Sequence, residues 1–354
     1  MMKSNILICI IVAMFLLPTV SAWARHDIIT KESIQDMGWL DRFNDLEVTE
    51  YSYADDSIRN LPLKYYNEDP AAPSVDDFTY YELEEHMFYF KGSDIGNHTG
   101  AEQVIIDFVD EVDWGMDQEL NLSWMQSFHC DSQGYRHMYY PAGTFHIPMG
   151  MAAQGATPER VVHFYGLAKQ AFEKDDPYWG FRFLARAMHY VQDMSQPYHT
   201  RQFSWRQIVW TNPYFGTVQA ITNYHFAYES YQANRLRLET QGALPLKFVS
   251  AIRYSLPIYV EDTDSLVENV AYRGYWGSSK TVKYSIDFLG KHYKNSDVVE
   301  MGSDEFFNLI ARDDEAAKLF NDELEQRMFQ VGKATKSFLE FARRDLDLDN
   351  YPLD

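Results

Sequence analysis

The sequence predicts an all-α protein, a single multi-helix domain that follows a short leader. Apolar residues recur at helical spacing from about Thr99 onward, and the alternation typical of strands is scarce. Glycine and proline are scattered rather than gathered into a linker, and no repeat period appears. The chain has 46% apolar and 16% aromatic residues, which is typical of a globular chain and excludes a disordered one.

The first 22 residues predict a secretory signal peptide. An apolar run from Ile6 to Leu17 follows a single basic residue, and Val20 and Ala22 occupy the small-residue positions that a signal peptidase reads. The run is shorter than the ~20 residues of a membrane-spanning helix, so an uncleaved anchor is the less favoured alternative. Cleavage after Ala22 would leave a secreted domain of residues 23–354, extracellular or periplasmic.

The charge and the cysteine content limit which partners and which stabilising features we expect. The formal net charge of −21 argues against strong, non-specific binding to nucleic acid or to anionic lipid. Loss of Cys9 with the signal peptide leaves Cys130 alone, so no internal disulfide can form. A secreted chain without disulfides depends on its core or on bound metal for stability. Cys130 is expected to be a buried or idle thiol rather than a zinc ligand, and no obligate protein partner is indicated.

Several helices can be placed from the positions of caps and apolar residues. Apolar positions predict a helix over 101–119, whereas residues 47–80, rich in Tyr, Asp and Pro, predict loops. Two helices are expected to start where an N-cap residue precedes proline, at 157–158 and 176–177, and the first should end near Phe172. Further helices are predicted over 217–240, 278–290, 303–311 and 314–343.

The helix that starts at residues 176–177 carries polar side chains that are costly to bury. His189 and Asp193 are four residues apart and therefore project from one helical face. Pro197 is expected to end this helix and to let His199 turn back toward the same site. If these three side chains are buried, the cost of their burial must be compensated.

A second pair of the same kind follows in the next long helix, where His225 and Glu229 are again four residues apart. Imidazole and carboxylate are the zinc ligands that proteins use when cysteine is absent. Helices that each present such a pair build multinuclear metal sites. One pair alone is more often a surface or capping pair, but two pairs favour metal binding.

These motifs resemble those of a known family. The stretch HYVQDMSQPYH, residues 189–199, is similar to the His-x3-Asp-x5-His signature of the zinc-dependent phospholipases C, which share a fold with the trinuclear zinc nucleases of single-stranded nucleic acid. HFAYE at 225–229 resembles the downstream pair, and HMYYP at 137–141 resembles the family's HFYDP stretch. The resemblance is close over residues 137–231 and weak elsewhere. Tyr140 departs from it, since the family usually has Asp there.

The resemblance implies three zinc ions whose ligands are imidazoles, carboxylates and the new N-terminus. The ligands of the first would be His137, His189, Asp193 and an upstream aspartate. Those of the second would be His199, His225 and Glu229. Those of the third would be Trp23, through its amino group and carbonyl oxygen, together with His26 and Asp193, whose carboxylate would bridge to the first.

The upstream aspartate is left open among three residues that a continuous helix would place on one face. The resemblance favours Asp113, which is also the candidate general base, and Asp110 and Asp117 are the alternatives. Surface carboxylates in solvent are the other interpretation. His129 is an alternative to His137.

The resulting expectation is a secreted zinc-dependent phosphodiester hydrolase, foremost a phospholipase C that releases diacylglycerol and a phosphorylated headgroup. A single-strand nuclease or nucleotide phosphatase on the same metal scaffold is one alternative, and a non-catalytic helical protein with structural zinc is another. The partner would be a phospholipid or another phosphodiester, with transient contact to a membrane surface. The aromatic insert at 201–223 is expected either to contact lipid or to pack as an ordinary loop.

Overall fold

Helices dominate the computed structural model, which describes residues 25–50, 52–53, 95–113, 117, 120–127, 130–143, 150–201, 217–294 and 297–353. This part of the chain is mostly helical, which confirms the all-α prediction. Its one sheet within these ranges has two antiparallel strands, β1 (Leu46–Glu47) and β2 (His98–Thr99). The predicted signal peptide, Trp23, most of 47–80 and most of the insert at 201–223 lie outside the described residues.

The α-helices are numbered in chain order. They are α1 (His26–Ile34), α2 (Ala101–Phe108), α3 (Ser132–Arg136), α4 (Thr157–Glu173), α5 (Pro177–Asp193), α6 (Pro197–Thr200), α7 (Thr217–Thr240), α8 (Phe248–Arg253), α9 (Thr263–Leu289), α10 (Ser303–Ile310) and α11 (Glu315–Asp345). Two 3-10 helices span Gly38–Phe43 and Lys291–Lys294.

Both helices that were predicted to start at a proline are found, but only one of them has the predicted N-cap residue. Asp176 caps α5, because its side chain accepts a hydrogen bond from the Trp179 backbone N–H at 3.3 Å. Thr157 is already inside α4 and does not cap it. Its hydroxyl instead donates to the carbonyl oxygens of Arg136 and Met138, at 2.6 and 2.9 Å. This side chain therefore ties α4 to the segment that carries His137.

The helix predicted over 101–119 is too long, because α2 ends at Phe108. The backbone then forms tighter turns, in which Glu111 N–H donates to the Phe108 carbonyl at 3.2 Å and Asp113 N–H to the Asp110 carbonyl at 3.0 Å. Further helix would have placed a run of carboxylates at the negative end of the helix dipole. The aspartates after position 108 therefore do not share one helical face.

Two smaller predictions also need correction. Pro197 does not itself end the helix of the His189 motif, since α5 stops at Asp193 and Pro197 begins the short helix α6. Proline suits this position because its missing N–H needs no partner in the first turn. The helix predicted over 278–290 is the second half of α9, which starts at Thr263.

Helix α5 lies at the centre of the fold and is buried along nearly its whole length. It packs against α4 on one side and α2 on another, while α11 packs against α1, α8 and α9. Aromatic residues such as Trp179, Phe181 and Phe183 fill the core around α5, and each contributes roughly 1.5–3 kcal/mol by leaving water. Within the described ranges, no helix has both the length and the apolarity needed to cross a bilayer.

Candidate metal centre

The first group of candidate ligands lies where α5 meets the residue that follows α3. His189 and Asp193 are one turn apart on α5, and His137 follows the end of α3. Asp193 Oδ2 lies 2.8 Å from His137 Nδ1 and 3.4 Å from His189 Nε2. These two imidazole nitrogens are 3.2 Å apart. All three side chains are buried, and their atoms are close enough to share one ion.

Asp193 also faces His26, the first residue of α1. Its second oxygen, Oδ1, lies 3.5 Å from His26 Nε2. His26 Nδ1 is 2.6 Å from Gln192 Oε1, so the neutral ring donates from Nδ1 and directs Nε2 toward Asp193. The carboxylate of Asp193 therefore faces imidazoles from three separate segments, which is the arrangement that a bridging ligand requires.

The three upstream aspartates do not have the same surroundings in the structure. Asp113 Oδ1 lies 3.6 Å from both His137 Nε2 and His189 Nε2. Asp110 lies in the same cluster, since it forms a group with His26, Asp113 and His189 whose ligand atoms are within 4.8 Å of one another. Asp110 and Asp113 are thus both placed to bind metal.

Asp117 has a different environment. Its carboxylate accepts two hydrogen bonds from the guanidinium of Arg160, at 2.6 and 3.0 Å, and lies 3.6 Å from Arg136 Nε. All three side chains are buried. Two buried cations need this carboxylate as their counter-ion, so Asp117 stabilises the fold and stands apart from the ligand cluster.

The second group lies between α6 and α7. His225 and Glu229 face each other on α7, with His225 Nε2 2.7 Å from Glu229 Oε1. His199 on α6 completes the group, with its Nε2 3.1 Å from His225 Nε2 and 3.8 Å from Glu229 Oε1. The side chain of Gln196 donates to the same Glu229 oxygen at 2.9 Å. Each of the three candidate ligands therefore directs a donor atom to a common point.

The two groups are joined through the backbone. His199 Nδ1 donates to the His137 carbonyl oxygen at 2.6 Å, and the Tyr139 N–H donates to the His199 carbonyl at 2.9 Å. The first of these hydrogen bonds keeps the proton on Nδ1 of His199 and leaves the lone pair of Nε2 directed toward His225 and Glu229. The positions of His137 and His199, and with them those of the two groups, are therefore coupled.

The buried imidazoles are held in their neutral form. Burial lowers the pKa of His26 to about 3 and, more than any other cause, lowers the pKa values of His137 and His189 well below the ordinary value. Neighbouring histidines add to the effect in all three. Burial also lowers the pKa of His225 to about 3 and raises that of Glu229. Neutral imidazole is the form that binds metal.

The donor set fits zinc. It consists of imidazole nitrogens and carboxylate oxygens, and Nε2 of His26 and of His137 has no hydrogen-bond partner among the described residues. Buried polar atoms in this state are costly unless an ion or water satisfies them. Cys130 is outside the cluster and buried, with its thiol 3.5 Å from Met138 Sδ, and burial raises its pKa. This agrees with the prediction of a buried thiol.

Acid is expected to destabilise the metal-free chain. An unfolded histidine binds a proton near pH 6.5, whereas folded His26 does so only near pH 3, so the unfolded state binds more protons as the pH falls from about 7 to 5. Each such histidine lowers stability by up to about 1.4 kcal/mol per pH unit, and Glu229 acts in the opposite direction. The dependence of the unfolding free energy on pH is measured by urea unfolding in the presence of a chelator at pH 7 and 5.5.

The histidine variant His26→Gln should show a smaller loss of stability between these two pH values, with the surface variant His292→Gln as its control. His292 lies near the surface beside Glu305. An unchanged slope in His26→Gln would contradict the assignment of His26 as a buried neutral imidazole.

Three residues that support the site were not predicted as site residues. Gln192 accepts from His26 and donates to Thr30 and Thr335, at 3.0 and 3.1 Å, so it fixes one ligand from α5. Gln196 holds Glu229, and its side-chain oxygen also accepts from the Tyr198 N–H at 2.7 Å. Both glutamines lie within the 189–199 motif, and Gln196 belongs to the Gln-Pro pair that precedes the last histidine of the signature.

The third supporting residue is Glu111, which lies between the two clustered aspartates. It is fully buried, and its carboxylate accepts from Arg186 Nε at 2.8 Å and from Arg182 Nε at 3.1 Å. A further bond from Arg182 Nη2 makes that pair bidentate. Because both arginines are on α5, Glu111 holds the 109–113 turns against the helix that carries His189 and Asp193.

Comparison with protein-family models finds no match to this chain, and comparison with curated proteins finds no similar protein. The geometry above therefore stands as the main support for any function. Two of the sequence-predicted positions, Trp23 and His129, lie outside the described residues. Asp117, one of the three upstream alternatives, lies apart from the ligands, and the other predicted positions, from His26 to Glu229, fall into the two adjoining groups.

Proposed function

We propose that this chain is a secreted zinc-dependent phosphodiester hydrolase of the phospholipase C type. It would act on a phospholipid and release diacylglycerol and a phosphorylated headgroup. The observation that carries the proposal is the position of Asp193, whose two carboxylate oxygens lie 2.8–3.5 Å from imidazole nitrogens of three segments. A bridging carboxylate with the His199 group beside it suits a cluster of metal ions, and structural zinc sites are usually closed shells of four ligands around one ion.

The residues that would bind the ions follow from the two groups. One ion would be held by His137, His189, Asp193 and Asp113 or Asp110. A second would be held by His199, His225 and Glu229. A third would be held by His26 and Asp193, with Trp23 as the further ligand that the resemblance implies. When bound, zinc ions polarise a phosphate and lower the pKa of water enough to supply a nucleophile at neutral pH.

The side chains of this chain have clear supporting tasks in such a reaction. Asp113 is 18% exposed, whereas His137 and His189 beside it are fully buried, so a substrate would approach the cluster from the Asp113 side. Its carboxylate is the candidate general base, since it lies 3.6 Å from two candidate ligands and can accept a proton from water there. The buried histidines keep fixed tautomers through Gln192 and the His137 carbonyl, so the donor atoms need no reorganisation.

The proposal is tested by hydrolysis assays on zinc-loaded protein processed to start at Trp23. Dispersed phosphatidylcholine and single-stranded RNA are incubated side by side, each with and without a chelator. We expect phosphocholine release that the chelator abolishes, with intact RNA. Zinc content, measured on the same samples, should approach three ions per chain.

Two outcomes would overturn the proposal in different ways. Nucleotide release with intact lipid would assign the same metal residues to a nuclease. Zinc that resists the chelator, with no hydrolysis of lipid, RNA or a water-soluble phosphodiester, would instead indicate a structural metal site.

A further inference from the structure

The segment between α8 and α9 exposes three large side chains. Tyr254, Leu256 and Tyr259 are 78%, 72% and 79% exposed and lie within six residues of one another. Single exposed apolar side chains are ordinary on protein surfaces, but a cluster of this kind marks a contact surface. We call these three residues, with Arg273 and Lys333 introduced below, the docking face.

The backbone of this segment is held in place, so the exposure does not come from a loose loop. Ser255 is fully buried, and the Ile258 N–H donates to the hydroxyl of Ser337 at 2.9 Å. The Val260 carbonyl accepts from Arg344 Nη2 at 2.9 Å. The protein therefore presents the three exposed side chains from a fixed base, and little entropy is lost when they bind a surface.

The adjoining groove between α9 and α11 is lined by cations and apolar side chains. Arg273 and Lys333 contribute the charges, and Ile258, Leu266 and Val270 contribute apolar walls. Neither cation forms an ion pair with any residue in the part of the chain that the structure describes. In a protein of net charge −21, two uncompensated cations beside an apolar surface mark a local preference for an anionic group.

We propose that the docking face binds the surface of a zwitterionic phospholipid bilayer. Tyrosine and leucine side chains partition into the headgroup region, where the phenol ring has apolar and polar neighbours at once. Arg273 and Lys333 would contact the phosphate oxygens of the lipids. A zwitterionic surface is favoured, because the acidic remainder of the chain would be repelled by anionic lipid.

The docking face shares no residue with the candidate metal centre, so this proposal stands apart from the proposed hydrolysis. Binding there would raise the concentration of the protein at a lipid surface whether or not the lipid is cleaved. A hydrolase that acts on lipid would gain from it, and the two proposals have separate tests.

The test is flotation of zinc-loaded, processed protein with vesicles of a phosphonate analogue of phosphatidylcholine. In this lipid a P–C bond replaces the P–O bond to glycerol, so the vesicles survive hydrolase activity. We expect the wild type to bind, the double variant Leu256→Ser/Tyr259→Ser to bind roughly tenfold more weakly, and Arg273→Gln/Lys333→Gln to bind several-fold more weakly. All variants should melt at the wild-type temperature and keep the wild-type rate on a water-soluble phosphodiester.

Matched controls are Phe307→Ser and Lys318→Gln. Phe307 is also an exposed aromatic residue, at 56%, and Lys318 is an exposed lysine on α11, about 22 Å along the helix from Lys333. Absence of vesicle binding by the wild type, or equal losses in controls and docking variants, would overturn the proposal. Two other results would also overturn it if the vesicles are not bound. One is that inorganic phosphate stabilises the protein through these residues, and the other is that the protein self-associates through them. If vesicle binding follows the docking face but no diester is cleaved, only the proposed function fails.

Discussion

Replacing Asp193 with asparagine is expected to lower phosphodiester hydrolysis by roughly a thousandfold or more, which is about 4 kcal/mol in the barrier. Asparagine keeps the shape of the side chain but removes the charge that faces His26, His137 and His189. Two of the three proposed ions depend on this carboxylate, so bound zinc should fall from about three ions to about one. Metal analysis of the dialysed variant and its rate on phosphatidylcholine measure the two effects.

The second group provides an internal comparison for Asp193→Asn. Glu229→Gln should remove about one ion and leave the Asp193 group intact, because Glu229 faces only His199 and His225 among the candidate ligands that the structure describes. Asp287→Asn, at a surface ion pair with Lys283 on α9, is the control for loss of an aspartate charge. Wild-type zinc content and rate in Asp193→Asn would show that this carboxylate is not a ligand.

Replacing Glu111 with glutamine is expected to reduce the free energy of unfolding by roughly 3–5 kcal/mol. Burial alone would raise the pKa of Glu111, but Arg182 and Arg186 outweigh it and lower the pKa to about 2. The charged carboxylate therefore stabilises the fold above the unfolded value near 4.5, and this contribution is lost as the pH falls toward 2. Glutamine would leave two buried guanidinium groups without their counter-ion. Urea unfolding at pH 7 measures the change.

A partly exposed pair shows what the same substitution does with less burial. Glu340→Gln removes the carboxylate that lies 3.4 Å from Arg343, where both side chains are partly exposed, and exposed pairs contribute only about 0–1 kcal/mol. Because Glu111 also positions Asp110 and Asp113, Glu111→Gln should weaken zinc binding as well. A loss below about 1 kcal/mol, equal to that of the Glu340 control, would contradict the role assigned to Glu111.

Much of the helical architecture could be predicted from local patterns. The starts near Asp176–Pro177 and the helix over 217–240 are found as expected, because caps and apolar spacing act within a few residues. Helices α1, α3, α6 and α8 were missed. Each is only four to nine residues long, and helices of that length depend on tertiary packing more than on their own propensity.

Only part of the candidate site could be predicted from the sequence. The spacing of His189 with Asp193, and of His225 with Glu229, made each pair visible, since one helical turn brings such residues together. The sequence did not show which carboxylates between Asp107 and Asp117 belong to the site. Carboxylates of one residue type look alike in a sequence, and the cation that each one meets decides its role.

By itself, then, the sequence determined the helical class, the two pairs of histidine and acidic residue on their helices, and a set of imidazole and carboxylate side chains that could bind a metal ion. These are consequences of local geometry and side-chain chemistry. Only the tertiary structure decided that Asp193 faces three imidazoles, that Glu111 and Asp117 neutralise buried arginines, and that Asp110 and Asp113 join the histidines. Such choices depend on which helices pack together, because a buried charge must be matched by partners that come from distant parts of the chain.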